Sequence, residues 1–186
     1  MNIFGSTWQG GVFAKIHGRL LGLKYALGLM LERPLSHTQM DMGIAFLLRF
    51  TPYARLNPQK MRIWAIKALS ATLAVSPPVA HQIALAHVRL AEIALYLPTP
   101  NAEVNYRCRL AYGLKGEIIA EGDYGRKQLS SILRHLGEIA IKTKNYRKAQ
   151  DYLSQAMSFA DEVGAVDQMK KINRSLKQLD RLHWKP

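Results

Sequence analysis

A chain of 186 residues with 48% hydrophobic and 21% charged content can bury one good core, which excludes wholesale disorder and makes a single domain the default. Its one cysteine, Cys108, excludes an internal disulfide framework and a cysteine-based zinc site and points to a reducing, cytoplasmic setting. The formal charge of +13 gathers at the ends, with nine basic against two acidic residues in 1–78, six against two in 165–186, and four against four in 79–121; basic ends attract nucleic acid, acidic membrane or an acidic protein.

The lead MNIFGSTWQGG is glycine-rich and uncharged, and reads as irregular. From Val12 to Glu32 the spacing of Phe13, Ile16, Leu20, Leu23, Leu27 and Met30 predicts an amphipathic helix, and Ala14, Gly18, Gly22 and Ala26 lay a groove of small side chains along it. Lys15, Arg19 and Lys24 interrupt the apolar run. No transmembrane helix is expected. Packing inside the fold, a basic in-plane helix on a membrane surface and an organellar targeting segment remain as readings of residues 1–34.

Arg33-Pro34 ends this element, and Ser36 with Gln39 forms a capping box for a helix from about His37 to Phe50. Asn57-Pro58 opens the next one, which holds Met61, Trp64, Ala65, Ala68, Leu69 and Leu73. Ser76-Pro77-Pro78 and Thr99-Pro100 repeat this cap-plus-proline grammar, and no alternating strand pattern lies between them. A single helix is expected from Asn101 to about Ala120. Gly122-Asp123 closes it and caps the next, and Gly164 stands where a helix end favours a left-handed residue. The last helix, Ala165 to about His183, carries Met169, Ile172, Leu176 and Leu179 on one stripe and Lys170, Arg174, Lys177 and Arg181 on another.

Leu133 to Gly164 has the most informative spacing. Two helical runs flank a short polar break at Lys144-Asn145, which predicts an antiparallel hairpin. Gly137, Ala149 and Ala156 supply bare patches where the two helices touch. The run Leu90-Ala91-Glu92-Ile93-Ala94 returns 46 residues later as Leu136-Gly137-Glu138-Ile139-Ala140. Ala45, 46 before Ala91, marks a fainter third unit that pairs the His37 helix with the Pro58 helix, so that the hairpins span 36–164.

The segment resembles a tetratricopeptide (TPR) repeat of the long-period kind at Leu133, Leu136, Gly137, Tyr146, Ala149, Leu153 and Ala156, with Ala140 in place of the usual aromatic and Asp161 in place of the closing proline. The resemblance implies an all-α fold of antiparallel hairpins stacked as a short solenoid, with the basic last helix as its cap. It implies that the first helix of each hairpin lines a concave groove at Ser131, Arg134, Glu138, Ile141 and Lys142, and, one period earlier, at Leu85, Val88, Glu92, Leu95 and Tyr96. Glu138 and Glu92 stand where the carboxylate-clamping members of the family carry Asn, which argues against that use.

The six histidines form no HExxH pattern, and His37 with Asp41 lacks a third metal ligand. No phosphate loop or GxSxG elbow occurs. Cys108 lies between Arg107 and Arg109, either as a reactive thiol or as a small residue in a packed helix. Neither a cofactor nor a catalytic set is expected. Two readings follow: a non-enzymatic adaptor that binds another protein through the groove, or a basic peripheral protein that binds nucleic acid or an acidic membrane through Lys15, Arg19, Lys24, Lys170, Arg174, Lys177 and Arg181.

Overall fold

Asn57 and Pro58 open α1 (Pro58–Leu73), the first helix whose bounds fall among the described residues, as their grammar requires: Asn57 Oδ1 accepts the Lys60 amide N–H at 3.0 Å, and Pro58 fills a first-turn position that needs no donor. The computed structural model describes residues 57–74, 79–98 and 100–183, with Lys24 and Gly28 helical as well. The rest of the expected Val12–Glu32 helix, the His37–Phe50 helix with its His37–Asp41 pair, the cap residues Ser76 and Thr99, Trp184, and the side chains of Trp64 and Ala68 lie outside the described residues. Six more helices follow: α2 (Ala80–Ala94), α3 (Pro100–Gly113), α4 (Lys115–Ala120), α5 (Gly122–Lys142), α6 (Tyr146–Glu162) and α7 (Val166–His183). No strand occurs among the described residues, and the class is all-α. Among these helices none is long and apolar enough to cross a membrane.

Each helix packs on its chain neighbour, and α5 additionally meets α2 and α7. One core runs through them. Ala84, Val88 and Ala91 of α2 meet Val104 and Ala111 of α3, Ile118 of α4, Leu129, Leu133 and Leu136 of α5, Leu153 and Ala156 of α6, and Ile172 and Leu179 of α7. α1 is held separately, with Met61 against Ile93, and Leu69 against Ala86 and Leu90.

The most extensive pairing joins α5 to α6. Their connection is Thr143-Lys144-Asn145, where Lys144 takes the left-handed conformation at φ 60° and Asn145 Oδ1 accepts the Lys148 N–H at 3.4 Å. Small residues then let the two backbones close up. A methyl group added to Gly137 would stand 2.7 Å from Leu153 Cγ, and Ala149, Leu153, Ala156 and Ala160 are all fully buried. Burying a leucine such as Leu153 contributes about 2 kcal/mol. Gly164, at φ 61°, ends α6 with the Ala165 N–H donated back to the Ala160 carbonyl, the six-to-one bond of a left-handed helix end.

Two expectations are corrected. The single helix from Asn101 to Ala120 is two, because Leu114 leaves helical geometry between Gly113 and Gly116, the poorest helix formers in the run; the turn re-aims α4 and drives Ile118 fully into the core. With α4 lodged between α3 and α5, the described helices are not a plain alternation of two-helix units. Asp123 also does not cap α5. Gly122 itself begins the helix with φ 78°, and Asp123 sits in the first turn, paired to Arg126 at 3.1 Å.

Candidate functional site

The two helices that carry the 46-residue echo, α2 and α5, pack against each other. Glu92 and Glu138, matched in the sequence, are joined through His135: its Nδ1 lies 3.0 Å from Glu92 Oε1 and 3.5 Å from Glu138 Oε2. Arg89 Nη1 donates to Glu92 Oε2 at 2.6 Å, and Arg134 Nη1 to Glu138 Oε1 at 2.5 Å. Both guanidinium groups also face His135 Nε2, Arg134 at 2.8 Å and Arg89 at 3.4 Å. Ser175 Oγ, from α7, donates to Glu138 Oε1 at 2.8 Å, so three helices share one polar cluster.

The cluster is mostly out of water. The side chains of Arg89, Glu92, Arg134 and His135 are 12–15% exposed and that of Glu138 is 29% exposed. Burial alone pushes the Glu92 carboxyl up, but the His135 ring beside it and the charge of Arg89 outweigh it and hold the group at about 2. Glu138 is likewise pushed up by burial and pulled down further by His135, Arg134 and Ser175, again to about 2. The guanidinium groups of Arg89 and Arg134 offset the charge of the two carboxylates. Nε of Arg89 and Nε of Arg134 are buried without an acceptor, so the cluster keeps unused donors beside its paired ones.

The structure places the remaining groove residues in three ways. Val88 and Ile141, 0% and 5% exposed, are core residues: the α2–α5 crossing takes up the face on which they were expected to meet a partner. Leu85, Leu95, Tyr96 and Ser131 are half-buried, Leu95 against the main core and Tyr96 against Met61 and Ile93 beneath α1, and Lys142 is exposed at the end of α5. Arg89, His135 and Ser175 escaped the sequence reading. For the first two the signal was present, since the register that equates Glu92 with Glu138 also equates Arg89 with His135. Ser175 had none.

Of the basic residues singled out, Lys24 is exposed on a helix, and Lys15 and Arg19 lie outside the described residues. Ile172 and Leu179 anchor α7 in the core, which projects Lys170, Arg174, Lys177 and Arg181 into solvent. Lys170 touches Asp167 at 3.9 Å; the other three have no carboxylate partner among the described residues.

Elsewhere, Glu121 acts at a distance. Its Oε1 accepts the His81 amide N–H at 3.2 Å and its Oε2 meets His81 Nδ1 at 2.5 Å, so the α4–α5 junction caps the first turn of α2, whose own N-cap, Val79, has no side chain for the task. His87 faces Arg107, and burial first, then that charge, lowers its pKa to about 4. Cys108 is the packed residue rather than the activated one: burial pushes its thiol up to about 11, while neighbouring Arg107 turns to Glu103. No group of three or more His, Cys, Asp or Glu side chains able to hold a metal ion occurs among the described residues. No family model, curated protein or solved structure matches the chain.

Proposed function

We propose that this chain is a non-enzymatic interaction module that docks a segment of another protein along the α2–α5–α7 seam. The observation that supports it is the cluster around His135, a prearranged polar network whose Glu138 is 29% exposed at its edge, on helices that also carry the half-buried apolar side chains of Leu85 and Leu95. Apolar contact and fixed polar groups are what groove recognition of a peptide uses. The TPR-like reading of the α5–α6 hairpin, and a solenoid stacking of the helices, belong to this proposal, supported by the hairpin spacing and the 46-residue register.

A second reading rests on a separate observation, the solvent-facing cations of α7, which suit nucleic acid or an acidic membrane. One binding experiment separates the two. With partner captured from the native host and identified, Leu85→Asp and Ser131→Arg abolish binding, Gln150→Ala on the exposed face of α6 leaves it intact, and affinity changes little between about 50 and 200 mM salt. Binding that survives both seam variants and falls steeply with salt, and is lost in Arg174→Gln/Lys177→Gln, assigns the activity to α7 instead.

A further inference from the structure

We propose that the cleft between α3, the C-terminal end of α5 and the first turns of α6 is a separate binding site for a small organic oxyanion, a carboxylate or phosphate carried on an apolar body. The cleft encloses about 440 Å³, within the size range of small-molecule sites. Its lining divides by chemistry. Arg109 from α3 and Lys148 from α6 supply two cations from two different hairpins, neither with a carboxylate partner among the described residues, and no lining residue is acidic. Asn105 and Asn145 add amide groups beside them.

Leu136 and Ala140 of α5, both buried, give the cleft an apolar floor, and the half-buried Tyr152 adds a ring to its lining. Such a site neutralises one anionic group at its charged side and covers an apolar body at the other. The ammonium of Lys148 also acts within the cleft: it pulls the Cys108 thiol down, though burial prevails. Glu92 opposes it at the same thiol, but that carboxylate is engaged by Arg89 and His135. None of the lining residues belongs to the His135 cluster, so the cleft and the seam can be tested apart.

The test uses the full chain, labelled with nitrogen-15, and three probes of one shape at constant ionic strength: benzoate, phenyl phosphate and neutral benzamide. Saturable shifts of the Asn105, Asn145 and Lys148 amides with benzoate or phenyl phosphate, and none with benzamide, are expected; the tighter of the two names the oxyanion. The same probe slows alkylation of Cys108 at alkaline pH. Arg109→Gln and Lys148→Gln each weaken binding about tenfold with an unchanged thermal midpoint, since both side chains are exposed. Benzamide binding as well as the anions, shifts that do not saturate or that centre on α7, or equal affinity in both variants would overturn the assignment.

Discussion

Gly137→Val lowers the stability of the fold by about 3 kcal/mol, read from urea unfolding followed by circular dichroism. Any Cβ at this position meets Leu153 Cγ at 2.7 Å and Cδ2 at 2.8 Å, with the Ala149 carbonyl oxygen at 3.5 Å behind them. Leu153 is fully buried among Ala149, Ala156 and Ala160 and has nowhere to go. Replacing a helical glycine by the β-branched valine gains only about 0.4 kcal/mol of propensity, whereas forcing extra methyl groups into a packed seam costs about 1–3 kcal/mol or more, so the clash prevails. Gly116→Ala is the internal control. Nothing stands within 4 Å of a Cβ there, so that variant is neutral or more stable by about 0.5 kcal/mol. Equal behaviour of the two variants would mean that the α5–α6 helices do not touch where the structure brings them together.

Glu92→Ala costs about 3–5 kcal/mol, the usual penalty for removing one member of a buried charge pair and stranding the other. Here the stranded groups are Arg89, with one nitrogen already lacking an acceptor, and His135. The same cluster governs acid behaviour. Glu92 and Glu138 have folded pKa values of about 2 against an ordinary 4.5, so their contribution is fully present above about 4.5 and is lost as pH falls towards 2. The two share His135, so their contributions do not add.

His87 adds an earlier loss. Its pKa is lowered to about 4 from 6.5, so the unfolded chain takes up a proton first and stability declines as pH falls from 6.5 to 4. Unfolding free energy measured from neutral pH downwards therefore drops in two stages, and Glu92→Ala shrinks the lower one. A flat profile from neutral pH to 3 would contradict the buried placement of both groups.

What the sequence reveals of this fold is what is local or periodic. Asn57-Pro58 announces its helix because capping is settled within one turn, and the Lys144-Asn145 break announces the hairpin because both flanking stripes are long. The 46-residue register even places Glu92, Arg134 and Glu138 in one neighbourhood. The failures concern which faces meet. Val88 and Ile141 have the spacing of groove residues, but the α2–α5 crossing buries them. Glu121 reads as a junction residue, and its work as the cap of α2 depends on a contact across 40 residues. The break at Leu114 lies between two glycines that a helical pattern tolerates on paper, and only the demand of the core for Ile118 decides it. The cleft beside Cys108 has no sequence signature, because its two cations come from helices, α3 and α6, that are far apart in the chain and meet only in the folded core.

Site-resolved crosslinking bears most directly on the proposed docking role of the seam. With the photoreactive residue benzoylphenylalanine placed singly at Leu85, Ser131 and Lys142, and as controls at Gln150 and Ser158 on the exposed face of α6, irradiation in the native host yields one shared protein adduct at the three seam positions and none at the controls. Adducts of equal yield at the α6 controls, or no adduct at any seam position, would contradict it.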